Sequence, residues 1–452
     1  MTTLWFETAL LAGGWARNVR VSLAGGRIET IVAGAEPAVD DERGGVALPG
    51  LPNLHSHAFQ RAMAGLTEAR GDSADSFWSW RELMYRFVSQ LEPDDVEAIA
   101  ALAFMEMLET GFTRVGEFHY LHHDLNGRAY ANPAEMGERI AAAAAETGIG
   151  LTLLPVFYAH AGFGGAAPTD GQRRFVTDPE GYGRLLEASR AALAGVPDAV
   201  VGVAPHSLRA VTRSELAAVS AGAGPVHIHI AEQLREVADC LAWSGARPVE
   251  WLMDNAAVDA RWCLVHATHM TADETMRLAR SGAVAGLCPI TEANLGDGLF
   301  PAAAFMDAGG AVGVGSDSNV RIDASEELRL LEYGQRLTAR ARNVLAGAPG
   351  ASTGAVLYRR VLAGGGQTLG QSTACGLSEG SAADFVVLES AHPDLAGRSG
   401  DAILDAYVFA GGSRMVKEVW RAGGKVVEDG LHRARPRIVA RYRQTLERLL
   451  SA

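Results

Sequence analysis

Two patterns of apolar and polar positions divide this chain. Both ends alternate with a period of two, and the middle alternates short apolar runs with longer helical ones. Near the start, "NVRVSLAGGRIETIVAG" sets Val19, Val21 and Leu23 on one side of an extended segment. It turns at Gly25–Gly26 and resumes through Ile28, which is the signature of a β-hairpin. The far end is built the same way. There "ADFVVLES" reads as a strand, and "KEVWRAGGKVVEDG" as a hairpin around Gly423–Gly424. The closing "PRIVARYRQTLERLLSA" has the spacing of an amphipathic helix.

The middle yields eight strand candidates in order: "GVALPGLPNLHSH", "FTRVGEFHY", "IGLTLLPVFYAH", "AVVGVAPHSL", "PVHIHIAEQ", "RWCLVHATHM", "AVAGLCPITE" and "AVGVGSDSN". Helical or long connecting segments separate them. One of these, "DDVEAIAALAFMEMLETG", is acidic at its start and has Gly111 as its stop. Eight such units predict an α/β fold of the parallel (β/α)8, or TIM, barrel type. A doubly wound open sheet is the rival, but no G-x-G-x-x-G follows any strand. The connection from Phe59 to Leu91 is long for a barrel loop, and long loops at that end of a barrel usually serve the site.

Composition narrows the class without changing the fold. A chain of 452 residues fits a large barrel with an accessory domain. The divisions expected are 1–47 for the first part of a small β domain and 48–375 for the barrel. Residues 376–432 complete the β domain, and 433–452 form the terminal helix. A net charge of -13 disfavours non-specific nucleic-acid binding. No apolar run is long enough to span a bilayer, and the N-terminus runs straight into strand-like sequence without a basic leader. Cys240, Cys263, Cys288 and Cys375 are widely spaced, so reduced thiols in a cytoplasm are the expectation.

The strand ends carry the chemistry. Strand one ends in His55-Ser-His57, two in Glu117-Phe-His119-Tyr120, and four in His206-Ser-Leu-Arg209. Strand five ends in His229-Ile-Ala-Glu232, six in His266 with His269 just beyond, and eight in Ser316-Asp317-Ser318. In a barrel that face is the active-site face. One buried histidine is as often a packed core residue as a ligand, but agreement at six strand ends is hard to explain by packing. His55 and His57 are two apart and share a strand face. With His229 and Asp317 they offer three imidazoles and a carboxylate, a donor set for a catalytic metal that keeps a position for water. Zn2+ suits the set best, with Fe2+ or Mn2+ also compatible. Glu232 sits where the strand has become loop, free to carry a proton to a leaving nitrogen. His266 is placed to orient the attacking water, and Asp317 to accept its proton.

Of the 40 basic side chains only Lys417 and Lys425 are lysines. Some two-metal barrel hydrolases bridge their ions with a carboxylated barrel lysine. None exists in this barrel, so one ion per chain is expected.

The stretches "PGLPNLHSH", "HIHIAE", "LVHATH" and "GSDS" resemble the amidohydrolase superfamily, in its cytosine deaminase-like branch of mononuclear deaminases. That resemblance covers essentially the whole chain. It implies a (β/α)8 barrel with a small β-sandwich domain built from both chain ends. "NLHSHAFQRAMAGL", "DSFWSWRELMY", "GEFHYLHHD", "APHSLRAV" and "GVGSDSNVRIDASEELRLLEYGQRL" are similar to the N-formimino-L-glutamate deiminase family of bacterial histidine degradation. The reaction this implies is zinc-dependent hydrolysis of the formimino carbon–nitrogen bond, giving N-formyl-L-glutamate and ammonia. The resemblance also implies substrate contacts from Gln60, Arg81, Tyr120, His206 and Arg209, and a homodimer. A substrate with two carboxylates calls for arginine forks, which Arg81 in the first loop and Arg209 after strand four would supply.

Two rivals remain. One is another mononuclear deaminase or chlorohydrolase of the superfamily acting on a heterocycle such as guanine, whose pocket would want aromatic or amide contacts rather than paired arginines. The other is a metal-free scaffold without activity, which would be expected to lack a ligand. His119, His122 and His123 receive no role, His269 reads as supporting, and His227 as the inward layer below His229.

Overall fold

In the computed structural model, residues 2–70, 77–371 and 376–451 are described. Cys375 and the domain limit drawn at it lie outside these residues.

The two chain ends meet in one sheet. Its strands are β1 (Thr2–Leu11), β2 (Gly14–Ala24), β3 (Arg27–Val32) and β4 (Glu42–Pro49) from the N-terminal side. The parallel strands follow in the chain: β5 (Leu51–Ser56), β6 (Phe112–His119), β7 (Gly150–Phe157), β8 (Val200–Val201), β9 (Ala204–Pro205), β10 (Val226–Ile230), β11 (Trp262–His266), β12 (Val284–Leu287) and β13 (Ala311–Val314). From the C-terminal side, β14 (Phe385–Leu388), β15 (Val416–Arg421), β16 (Gly424–Glu428) and β17 (Leu431–His432) return to the first sheet. Its order is β17-β16-β15-β14-β4-β1-β2-β3, so the antiparallel β4–β14 pair splices the two ends together.

That sheet curls. The amide of Ala383 donates to Gly26 O (2.9 Å) and the amide of Gly423 donates to Ala383 O (3.1 Å), drawing two hairpin turns towards each other. Inside the curl lie Phe6, Val21, Ile28, Phe385 and Trp420. Phe385 stacks on Trp420 and meets Phe6 edge-on. The first hairpin turns at Gly25–Gly26, both in the left-handed region that such turns require. The second turns one residue earlier than the sequence suggested. Ala422 and Gly423 take the left-handed positions (φ 48° and 74°), and Gly424 already begins β16.

The middle folds as α/β with two parallel sheets, β5-β6-β7-β8 with β9 also on β7, and β10-β11-β12-β13. Isolated parallel bridges join them at both edges: Val203 to Val226 and Ser207 to His229 on one side, Ser56 to Asp317 on the other. The fourth strand candidate is broken into β8 and β9, because its amides alternate between neighbours. Gly202 N donates to Leu153 O and Val203 N to Pro225 O, and Pro205 has no amide to continue the ladder.

Helix Thr353–Thr368 closes the end of the sheets away from the site. Glycines let it approach: a Cβ on Gly364 would fall 2.1 Å from Val312 O. Beyond its end, Leu369 O accepts from Thr152 Oγ1 (3.0 Å), while Thr368 O accepts from His227 Nε2 (3.0 Å). His227 therefore belongs to the inward layer below His229, as its parity with His229 required.

The helix expected before Gly111 spans Pro93–Glu109, with a reciprocal Glu92–Asp95 capping box. The terminal helix Arg435–Ser451 is tied to it by Arg441–Glu97 and Arg448–Asp95 ion pairs. The long connection after β5 is not simply a loop. It holds a 3-10 turn, Ala58–Met63, and a helix, Phe77–Val88, which buries Phe77, Met84 and Val88. Arg81 therefore stands on a helix rather than a loop. No helix among the described residues is long and apolar enough to cross a membrane.

Candidate active site

β5 delivers His55 and His57 to the same point, β10 delivers His229, and the segment after β13 delivers Asp317. One ligand atom from each of the four lies within 4.8 Å of the others. His229 Nε2 is 3.0 Å from His55 Nε2 and 3.3 Å from His57 Nε2. Asp317 Oδ1 stands 3.4 and 3.3 Å from the Nε2 atoms of His55 and His57.

The hydrogen bonds on the far side of the rings decide what this cluster fits. His57 Nδ1 donates to Phe118 O (2.8 Å) and His229 Nδ1 donates to His206 O (3.1 Å). A carbonyl only accepts, so in the neutral rings the proton sits on Nδ1 and the Nε2 lone pairs face one another. Burial holds these rings neutral: it pulls His55 down to about 3 and lowers His57 and His229 as well. Lone pairs converging on a carboxylate repel unless a cation lies between them. The donor set fits a divalent metal.

The backbone is bent to aim these groups. Ala231, His266, Ala267, Asp317 and Asn319 all have φ between 46° and 68°, a region that non-glycine residues rarely adopt. Asp317 is held there from both sides: its amide donates to His55 O (2.9 Å) and its carbonyl accepts from His57 N (2.9 Å).

Glu232 and His266 face the same space. Glu232 Oε1 is 3.9 Å and Asp317 Oδ2 3.7 Å from His266 Nε2. Burial pushes the Glu232 carboxyl up to about 7, against the opposing pull of His266 and Arg209. Burial acts to lower His266, but the Glu232 charge and a hydrogen bond to Glu292 outweigh it and raise the imidazole well above its usual value. Burial acts to raise Asp317, yet its bond with His55 and the surrounding imidazoles hold it well below the carboxylate range. The three groups thus differ sharply in their hold on a proton, which is what a proton relay requires.

A cavity opens above them. Its walls include His57, Gln60, Arg81, Tyr120, His206, Arg209, His229, Glu232, His266 and Asp317. With His55 beneath, every site residue expected from the sequence is brought to one place. Gln60 Nε2 donates to Tyr120 OH (2.8 Å), and Gln60 Oε1 has no partner among the described residues. Burial, then the Arg209 charge, lowers His206 well below its usual value, so its ring is neutral.

Sequence reasoning missed Glu292. Its Oε1 pairs with His266 Nδ1 (3.2 Å) and accepts from Cys288 N (2.9 Å), fixing the imidazole from behind. The signal was present in "CPITE": a helix opening directly at the end of the seventh strand with an acidic residue in its first turn. Asp297 was also missed. It is buried against Gln233, and burial pushes it up to about 9. Of the histidines left without a role, His122 and His123 bind the Val156 and Val176 carbonyls, while neither ring nitrogen of His119 has a partner among the described residues.

Comparison with known proteins fits this geometry. A family model described as "Amidohydrolase family" matches residues 46–427, and one described as "Formimidoylglutamate deiminase HutF, N-terminal domain" matches residues 1–45. A Pseudomonas aeruginosa protein named formimidoylglutamate deiminase is 53% identical over 454 residues, covering 100% of both chains. The crystal structure of an amidohydrolase from Brucella melitensis superposes with a TM-score of 0.96 at 55% identity, again over 100% of both chains. An adenosine deaminase from Xanthomonas campestris with bound zinc shares the fold at a TM-score of 0.81 and 21% identity, over 100% of this chain and 99% of that one.

Proposed function

The chain belongs to the amidohydrolase family, and within it we propose that it hydrolyses N-formimino-L-glutamate to N-formyl-L-glutamate and ammonia, a step of histidine degradation. The observation that carries this reading is the 53% identity over the full length of both chains with a protein of that name. Two arginines in the cavity wall support it independently, since they suit a dicarboxylate and not a neutral heterocycle.

His55, His57, His229 and Asp317 would hold one Zn2+. A metal in such a site lowers the pKa of a bound water towards neutrality and so supplies the nucleophile. The chain's own groups do the rest. Arg81 and Arg209 bind the two carboxylates, with Gln60, Tyr120 and His206 completing that end. Glu232, ionised, faces the cationic formimino group and offsets its charge; it then takes over from Asp317 the proton given up by the attacking water and delivers it to the departing nitrogen. A carboxyl near 7 can both hold and release that proton at neutral pH. His266, steadied by Glu292, orients the attacking water, and Asp317 takes up its proton.

The same reading closes the two parallel sheets into one (β/α)8 barrel, supported by the bridges at both edges. It makes the curled end sheet a small β-sandwich domain. It places the enzyme in the cytoplasm as a homodimer, with one ion per chain.

The test is ammonia release from N-formimino-L-glutamate, with N-formimino-L-aspartate and guanine alongside. Rapid turnover of the first, slower turnover of the second and none of guanine is expected. No turnover of the first by zinc-supplied protein would overturn the reading.

A further inference from the structure

Arg81 and Arg209 both face the cavity, and each is held in an unusual way. The Arg81 guanidinium lies 4.5 Å from the centre of the Trp78 ring, and that of Arg209 lies 5.9 Å from it. A third guanidinium, from Arg235, stands 4.8 Å from the same ring. Trp78 itself is absent from the cavity wall, which Arg81 and Arg209 line.

The hydrogen bonds around these arginines explain what such an arrangement achieves. Neither Arg81 Nε nor Arg209 Nε has a partner among the described residues, although both atoms are buried. The one ion pair of Arg209 there, to Glu236, is long at 4.0 Å. A guanidinium carries all its N–H donors in its plane and none on its faces. Fixing it through carboxylates would consume those donors. Fixing it by a face, over an aromatic ring, leaves the whole fork for a ligand. The ring quadrupole also eases the repulsion between the cations gathered around it. Arg235 is solvent-facing, with 66% of its side chain exposed and a loose 3.7 Å pairing to Asp239. It braces the indole from outside the cavity.

We propose that Trp78 is the positioning residue of the carboxylate site, holding the Arg81 and Arg209 guanidiniums over its ring so that their N–H groups stay free for the two carboxylates of the substrate. This inference rests on the dicarboxylate reading of the site. It assigns Trp78 no contact with the substrate, so its effect passes through the arginines alone.

The experiment combines kinetics with a binding assay that needs no turnover. Trp78→Leu is expected to raise KM for N-formimino-L-glutamate about 10-fold with kcat within about 3-fold of the parent, and Trp78→Phe to recover most of the loss. In an Arg81→Ala background, Trp78→Leu is expected to add at most about 3-fold, because its main target is gone. Calorimetric binding of glutarate is expected to weaken in parallel in Trp78→Leu. An unchanged KM and unchanged glutarate affinity in Trp78→Leu would overturn the proposal, as would a full penalty of about 10-fold persisting without Arg81. If Trp78→Leu does not fold, Trp78→Gln carries the test, and parental glutarate affinity there overturns it. Should the parent bind glutarate but not turn over the formimino compound, the functional reading falls, and the role of Trp78 is still decided by the glutarate series.

Discussion

Replacing Glu232 by glutamine keeps the side chain's size and removes both its proton-carrying oxygen and its negative charge. The carboxyl is buried, 3.9 Å from His266 Nε2, and burial has raised it to about 7. Proton transfer by a placed side chain contributes about 10²- to 10⁴-fold. The surroundings argue for the middle of that range or above, because no neighbour can substitute. Asp317 is committed to the proton of the attacking water, and Asp297 does not line the cavity. The expected loss in kcat is about 10³-fold, or about 4 kcal/mol of transition-state stabilisation. The pH profile gives a second reading. A cationic substrate pairs with the ionised carboxylate, so kcat/KM of the parent should fall as pH drops through about 7. The raised value puts that limb far closer to neutrality than an ordinary carboxylate would. Ammonia release measured from about pH 5 to 9, with metal content and melting temperature checked in both proteins, tests both points. A Glu232→Gln protein with kcat within threefold of the parent, or with the same acid limb, would refute the proton-carrier role.

Arg81→Ala and Arg209→Ala should each raise KM for N-formimino-L-glutamate about 10- to 100-fold, the worth of a charge-assisted fork, and an unchanged KM in steady-state assays would remove the dicarboxylate site. Chelation should abolish ammonia release, and about one equivalent of Zn2+ per chain should restore it; recovery only at two equivalents would refute the single-ion site. Burial pushes the Glu117 carboxyl up to about 8 from its ordinary 4.5, against the opposing hydrogen bonds from Ala58 and Ser56. Between those values the native state keeps a proton that the unfolded chain has lost, so stability falls by about 1.4 kcal/mol per pH unit as pH rises and levels off above about 8. Urea midpoints of Glu117→Gln against pH should lack that slope, and parallel curves for the two proteins would show that Glu117 is not the source.

The metal cluster was legible in the sequence because two simple facts locate it. Residues two apart on a strand share a face, which pairs His55 with His57, and parallel strands in an α/β fold present their ends together, which adds His229 and Asp317. Glu292 escaped because it arrives from the first turn of a helix and acts on His266 rather than on the cavity; nothing in a strand-end reading looks there. Helix Phe77–Val88 escaped for a different reason. Its buried residues, Phe77, Met84 and Val88, are too few to stand out as a periodic stripe, so the segment read as loop. Its tie to the site, Trp78 beneath Arg81, depends on a contact that spacing cannot express. The split fourth strand was invisible because both pieces are apolar, and only the partner of each amide separates them.

The bridges that join the two parallel sheets and the metal-donor cluster share the same residues. Asp317 reaches its place through the two backbone bonds that join it to His55 and His57, and those bonds lie within the seam between β5 and the segment after β13. The other seam does the same for His229, whose amide donates to His206 O at 3.0 Å while its Nδ1 donates to the same oxygen at 3.1 Å. Each seam therefore fixes a ligand of one sheet against a ligand, or a ligand's support, from the other. The left-handed backbone at Asp317 costs about 1–3 kcal/mol, and converging lone pairs add repulsion. A cation bound to all four donors offsets both terms and pulls on both seams at once. A metal bound there and the bridges between the two sheets would then strengthen each other.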